Sequence, residues 1–179
     1  METWLGDYVP TLVTGGAQTN VTNTAARTVL VGGLDISNPQ IGDVYTLRAW
    51  GTISNSTGAA VNYSMDLGFG ANTYLSQAVL MALGSSVNAR SWVVNVDLVV
   101  TSLTSQSIGM STVWSNSNGA AGTLEVSAGS SGYFGVGAAT ATEDFKAFET
   151  RTLALYVTMG TASASASARC LGFTFTRRR

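Results

Sequence analysis

The sequence contains no histidine, and this absence excludes more kinds of catalytic and metal-binding site than any other feature of its composition. Without histidine the chain cannot form the usual Ser/His/Asp or Cys/His catalytic arrangements. It also lacks the commonest ligand for transition metals. Cys170 is the single cysteine, so it can form neither an intrachain disulfide nor, by itself, a thiolate zinc site. We therefore expect no enzymatic activity, no cofactor and no bound metal.

Charged residues are also scarce. Asp, Glu, Lys and Arg make up 11% of the chain, whereas about 25% is usual in soluble domains. The formal net charge of -1 gives little attraction to nucleic acid or to an anionic membrane, and it causes only weak self-repulsion. We expect neither nucleic acid nor a membrane as a partner, and a surface that tolerates close packing against other proteins.

Signals for export and membrane insertion are missing as well. The first seven residues, METWLGD, have neither the basic start nor the apolar core of a signal peptide. The uncharged stretch over residues 67–89 is interrupted by Gly, Asn, Ser, Thr and Gln. Its apolar runs are much shorter than the about 20 continuous apolar residues that a transmembrane helix needs. The sequence predicts a protein made in a reducing cytoplasm, without a transmembrane helix.

Alternation with a period of two is the strongest pattern that is present. In residues 61–69 every odd-numbered position is apolar, and the even-numbered positions are Asn, Ser, Asp and Gly. The same alternation appears in four further segments, residues 43–53, 91–101, 153–159 and 171–176. Such alternation places successive side chains on opposite faces of a strand. These five segments are therefore predicted to be half-buried strands.

Weaker patterns complete the predicted fold. Further strands are expected at residues 21–31, 78–83 and 108–114 and within residues 123–136, with turns rich in Gly, Asn and Ser between them. This predicts an all-β, antiparallel β-sandwich, jelly-roll-like, with eight or nine strands. A closed barrel is the rival architecture. Residues 162–168 are predicted to be a loop, and one helical turn is expected around residues 143–148.

The predicted organisation is a single domain over residues 1–179, with a short N-terminal arm over about residues 1–18 and a basic C-terminal end. Acidic side chains offer little chemistry within it. Glu143 and Asp144 are adjacent and diverge if the segment is extended, and a capping role at a turn explains them equally well. Asp43 follows Gly42 at a strand entrance, where we expect it to make a turn-forming hydrogen bond.

The candidate partner-contact residues lie at the two ends of the chain and on one strand. They are Trp4, Leu5, Tyr8, Val9, Trp50, Arg177, Arg178 and Arg179. Each has a simpler alternative: the arm packs on its own domain, and the arginines form a frayed, solvated tail. Trp50, on the polar face of its strand, is an outward aromatic that either stacks on a sugar or is buried at an interface.

Residues 42–52, GDVYTLRAWGT, and residues 88–96, NARSWVVNV, resemble a pattern in jelly-roll structural proteins of tailed bacteriophages. Residues 155–158, LYVT, run through residues 161–165, TASAS, into a last strand, which resembles the way several of those chains finish. The resemblance implies a virion location after synthesis in the host cytoplasm, a homotrimer, and use as capsid decoration, head fibre or tail tip. It implies no role for any individual residue.

Three functions remain open from the sequence. A capsid decoration (cement) protein, with the major capsid protein or other virion proteins as partner, fits a compact neutral domain that works through buried area. A receptor-binding or carbohydrate-binding fibre tip would use the same fold, but no coiled-coil or repetitive shaft is visible. A small jelly-roll capsid protein usually has a long basic arm for its genome, whereas only three arginines stand at this C-terminus.

Overall fold

The computed structural model describes residues 13–15, 20–83, 87–114, 134–145 and 150–178, and within these ranges the chain forms eleven strands and no helix. None of the described segments is therefore a helix that could cross a membrane. In chain order the strands are β1 (Val13–Gly15), β2 (Asn20–Thr22), β3 (Thr28–Ser37), β4 (Val44–Asn55), β5 (Val61–Phe69), β6 (Asn72–Leu83), β7 (Val87–Ser102), β8 (Ser105–Trp114), β9 (Phe134–Ala141), β10 (Thr150–Met159) and β11 (Ala166–Arg178).

The strands form two antiparallel sheets. The larger sheet has the order β1-β11-β4-β7-β8-β9, with β2 also pairing with β11, and the smaller sheet has the order β3-β10-β5-β6. The chain passes from one sheet to the other between β2 and β3, β3 and β4, β4 and β5, β6 and β7, β9 and β10, and β10 and β11. The predicted all-β sandwich is confirmed, and the described strands form two separate sheets instead of a closed barrel.

The core lies between the two sheets and follows the alternation in the sequence. Along β4 the buried residues Leu47, Ala49 and Ile53 alternate with Arg48 and Trp50, which are exposed. Other strands contribute fully buried side chains to the same core, among them Leu34, Tyr63, Met65, Trp92, Leu98 and Leu155. Removal of this apolar surface from water is the main favourable contribution to folding. It also leaves the opposite face of the larger sheet available for other contacts.

The eleven strands of the described residues exceed the predicted eight or nine because β1 lies in the predicted N-terminal arm and because one predicted strand is divided. The sequence predicts one strand over residues 21–31, but this segment is divided between β2 and β3. Asn23 adopts a left-handed φ of 55°, which interrupts an extended strand. Arg27 then donates from Nε to Asp66 Oδ1 at 2.7 Å, which ties the segment between the two strands to the smaller sheet.

Four other expectations need correction or fall partly outside the described residues. Residues 162–168 are not all loop, because β11 begins at Ala166, and both Ala166 and Ala168 are fully buried. Residues 13–15, assigned to the N-terminal arm, form β1 against β11. Residues 142–145 contain no helix, and residues 146–149 lie outside the described residues, as do residues 123–133 of the strand predicted within 123–136.

Tyr63 makes the fold sensitive to alkaline pH. Its hydroxyl donates to the Ser54 carbonyl oxygen at 2.5 Å, and burial raises the pKa of Tyr63 to about 12. Since the folded pKa lies above the unfolded value, the stability linked to this group is complete below about pH 10 and is lost as the pH rises toward 12. We expect the free energy of unfolding, measured with urea, to fall less between pH 8 and pH 11.5 in Tyr63→Phe than in the wild type. Equal losses in the two proteins would contradict this linkage.

Candidate functional site

The turn between β3 and β4 is the first surface feature with functional interest. Asn38 and Gly42 adopt left-handed φ angles of 43° and 95°, which Asn and Gly accept with little strain. The backbone N–H of Gln40 donates to Asp43 Oδ2 at 2.6 Å, and Asp43 is only 1% exposed. The turn-forming hydrogen bond predicted for Asp43 is therefore present, and it holds the turn in one conformation.

Arg177 completes this turn from the last strand. Its guanidinium forms an ion pair with Asp43 at 2.5 Å and donates to the Asn38 carbonyl oxygen at 3.0 Å. It also lies 5.6 Å from the ring centroid of Tyr45, within reach of a cation–π interaction. The frayed C-terminal tail is thus wrong as far as Arg178, where β11 ends. Arg177 is a structural residue.

Arg178, another candidate contact residue, lies at the same end of the sandwich. Arg178 is exposed and donates to Thr46 Oγ1 at 3.1 Å, while Ile41, at the tip of the turn, is 69% exposed. Val13 pairs with Phe175 in the antiparallel β1–β11 ladder, so the N-terminal segment joins the sheet at this end. We call residues 38–43 with Val13 and Arg178 the turn end. Trp4, Leu5, Tyr8, Val9 and Arg179 lie outside the described residues.

A second surface, which we call the Trp50 face, lies on the outside of the larger sheet. It consists of Arg48, Trp50, Ser91, Val93, Leu171 and Thr174, which line a shallow cavity of about 560 Å³. Trp50 is 39% exposed and Leu171 is 41% exposed. A break in register between Cys170 and Gly172 leaves Leu171 without a partner on β4, and such bulges redirect side chains. The outward orientation predicted for Trp50 is therefore confirmed.

A third feature is the cleft around Glu143, which we call the Glu143 cleft. The Glu143 side chain is 2% exposed and forms an ion pair with Arg151 at 3.1 Å. Its Oε1 accepts a hydrogen bond from Asn72 Nδ2 at 3.1 Å and another from the Tyr74 hydroxyl. Burial, together with the hydrogen bond to Glu143, raises the pKa of Tyr74. The Glu143 backbone is also paired in both directions with the Gln106 side chain, at 3.0 and 3.1 Å.

The contacts of the Glu143 cleft connect segments of the fold that are distant in the sequence. Glu143 is buried whereas Asp144 is exposed, so the two adjacent acids face different environments. The Glu143 carboxylate is compensated by Arg151 and its hydrogen-bond donors, as a buried charge requires. This arrangement joins β6 and β8 to the segment between β9 and β10.

The remaining reactive groups are also engaged in the structure. Asp66 is paired with Arg27 at 2.5 Å, and Asp97 accepts a hydrogen bond from Thr46 at 2.8 Å. Cys170 is buried, and this burial raises the pKa of its thiol, which favours the neutral form. In the part of the chain that the structure describes, no three Cys, Asp or Glu side chains gather as a metal site.

Sequence reasoning missed four features of these surfaces. The pairing of Asp43 with Arg177 spans 134 positions and the contact of Tyr74 with Glu143 spans 69, so no local pattern indicates either. Leu171 is exposed because of a bulge, which alternation alone does not reveal. Ile41 had a usable signal, since it stands between Gln40 and Gly42 in a predicted turn, where an apolar residue has no core to enter.

No family model matches this sequence, and no curated protein matches it either. Among solved structures, lectin UEA-II complexed with galactose has 11% identity and a TM-score of 0.39, with 96% of this chain and 95% of that chain covered. A lectin from Bauhinia forficata in complex with GalNAc has 8% identity and a TM-score of 0.37, with 80% and 76% covered. A structure of infectious bursal disease virus Gx strain has 12% identity and a TM-score of 0.31, with 94% of this chain but 42% of that chain covered. These scores are too low to carry functional information.

Proposed function

We propose that this protein is a non-catalytic virion structural protein, a capsid decoration (cement) protein that binds the major capsid protein through its turn end. One observation carries the proposal. The strand register brings the entry point of the N-terminal segment, the exposed Ile41 and the exposed Arg178 to one end of the sandwich. Residues that are far apart in the sequence thus share one surface, and Arg178 among them was a predicted contact residue.

The turn end is suited to binding because it is held in place before any partner arrives. Gly42 N–H donates to the Val100 carbonyl oxygen at 2.8 Å, and Val100 N–H donates to the Asp43 carbonyl oxygen at 2.9 Å. Together with Arg177, these bonds tie the turn to β7 and β11. A preorganised surface loses little conformational entropy on binding. Ile41 is therefore presented to a partner at low entropic cost.

The distribution of charge supports close contact with another protein. Arg27, Arg151 and Arg177 are each paired with a buried carboxylate of the same chain, at 2.5 to 3.1 Å. Charges that are compensated internally need not be desolvated again at an interface, where desolvation is expensive. The surface that is left is largely neutral, as the depletion of charged residues from interface cores requires.

The N-terminal segment extends the proposed contact beyond the turn. The twelve residues before Val13 include Trp4, Leu5, Tyr8 and Val9, and a fully extended segment of that length spans about 40 Å. We propose that it reaches a neighbouring shell subunit and that three copies assemble as a homotrimer. Several weak contacts that engage together raise the effective concentration of each later contact, so modest interfaces add to a durable assembly.

Binding to shells that lack this protein tests the proposal. We expect the wild-type chain to co-sediment with such shells, and deletion of residues 1–12 or the substitution Ile41→Ser to weaken co-sedimentation by about tenfold or more, as loss of an interface anchor does. Melting temperatures should stay close to wild type. Val29→Ser is the matched control, because Val29 is another exposed apolar residue, 42% accessible, at the far end of β3.

Two results would contradict the proposal. If the deleted chain binds shells normally but melts at a lower temperature, the N-terminal segment packs on its own domain instead. If Val29→Ser weakens binding as much as Ile41→Ser, the turn end has no special role.

A further inference from the structure

The indole ring of Trp50 lies against Gly172, and we call this ring the platform. Its atoms Cε2, Cζ2 and Cη2 lie 2.9, 2.6 and 3.3 Å from the position that a Cβ on Gly172 would occupy. Any side chain at Gly172 would therefore push the ring away. Since one side of the ring covers Gly172 and the residue is still 39% exposed, its other side faces solvent. A flat aromatic surface is thus held open on the outside of the sheet.

The cavity beside this platform combines apolar side chains, Val93 and Leu171 among them, with a few polar side chains. Arg48, Ser91 and Thr174 line the same cavity as Trp50, and they supply guanidinium and hydroxyl groups. None of the ion pairs found among the described residues involves Arg48. Hydroxyls both donate and accept hydrogen bonds, while the guanidinium donates several in one plane. This combination matches a ligand with an apolar face and a polar rim.

The size of the cavity also fits a small ligand. Its volume is about 560 Å³, and pockets for small molecules usually measure roughly 300 to 1,000 Å³. Trp50 lies six residues along β4 from Val44, which adjoins the turn end, and this corresponds to about 20 Å of strand. The Trp50 face can therefore remain accessible while the turn end contacts another protein.

From this geometry we infer that the Trp50 face is a saccharide-binding site. A pyranose ring stacks its apolar C–H face on the exposed side of the Trp50 indole, and the hydroxyls of Ser91 and Thr174 bind its polar rim. Arg48 adds a preference for sugars that carry a carboxylate, because guanidinium pairs with carboxylate through charge-assisted hydrogen bonds. The site is independent of the proposed shell contact, and each can fail without the other.

A glycan array of neutral and acidic saccharides, probed with the full chain, tests this inference. We expect retention of acidic saccharides, confirmed by titration of the best array ligand with tryptophan fluorescence as the signal. Trp50→Ala should weaken binding by about tenfold or more, and Arg48→Ala should reduce the preference for acidic over neutral sugars. Val29→Ser is the matched control, because Val29 is an exposed apolar residue on the smaller sheet, and it should leave the affinity for saccharide unchanged.

Gly172→Ala is a second variant that keeps the indole but displaces it. Its methyl group would meet the movable end of the Trp50 ring, so the fold should persist while saccharide binding falls by a similar factor. An array without any bound saccharide, or binding that survives both Trp50→Ala and Gly172→Ala, would overturn the inference. Loss of shell binding or of the oligomer in Trp50→Ala would also overturn it, because the face would then be a protein interface.

Discussion

Gly51→Ala should destabilise the protein by about 3 kcal/mol, the upper part of the range for an overpacked core. The added Cβ would lie 1.9 Å from the Arg169 carbonyl oxygen and 2.6 Å from Cζ2 of the Trp92 ring. The first contact is with backbone of the neighbouring strand β11, which cannot rotate away. The second is with a ring that is 1% exposed and has no space to move. Urea unfolding followed by circular dichroism measures the loss.

Two other glycines in the same sheet are controls for Gly51. Gly109, in β8, has open space where its Cβ would stand, and Gly172 meets only the end of the exposed Trp50 ring. We expect Gly109→Ala and Gly172→Ala to change the free energy of unfolding by no more than about 1 kcal/mol, as alanine is the less flexible residue in the unfolded chain. If Gly109→Ala costs as much as Gly51→Ala, close packing of Gly51 is not the reason for the loss.

Glu143→Ala should have the largest effect of any single substitution outside the apolar core, about 3 to 5 kcal/mol, as expected when one partner of a buried ion pair is removed. Arg151 would lose its ion pair with Glu143, while Asn72 and Tyr74 would each lose an acceptor. The substitution also removes side-chain packing from the segment between β9 and β10. Chemical denaturation at pH 7 gives the free energy of unfolding.

Comparison with two conservative variants separates charge from shape. Glu143→Gln keeps an acceptor for Tyr74 but loses the charge opposite Arg151, so its loss should be intermediate. Asp144→Asn changes the exposed neighbouring acid, and we expect its loss of stability to be smaller than that of Glu143→Ala. Equal effects of Glu143→Ala and Asp144→Asn would show that the contacts of the Glu143 side chain do not stabilise the fold.

Much of the fold could be predicted because apolar and polar residues alternate along its strands. The alternation over residues 61–69 matches β5 at both ends, and the pattern over residues 43–53 identifies β4 to within two residues. Trp50 could be assigned to the outer face for the same reason. Alternation is a property of each strand by itself, so one sequence is sufficient to show it, although residues 65–69 of β5 are buried on both faces.

The features that were missed depend on contacts between distant parts of the chain. Ala166 and Ala168 belong to β11 because small side chains pack there against the other sheet, whereas their composition alone is that of a loop. Arg177 is ordered because Asp43 lies beside it on another element. Small polar and charged residues carry no periodic signal, and tertiary contacts override their local preferences.

Electron microscopy of the proposed shells, assembled with this chain, is the most direct test of the proposed function. We expect density for the sandwich on the outside of the shell in groups of three, with Ile41 and Arg178 toward the major capsid protein and the Trp50 face toward solvent. Shells that carry no density for this chain, or a shell contact formed by the Trp50 face instead of the turn end, would contradict the account.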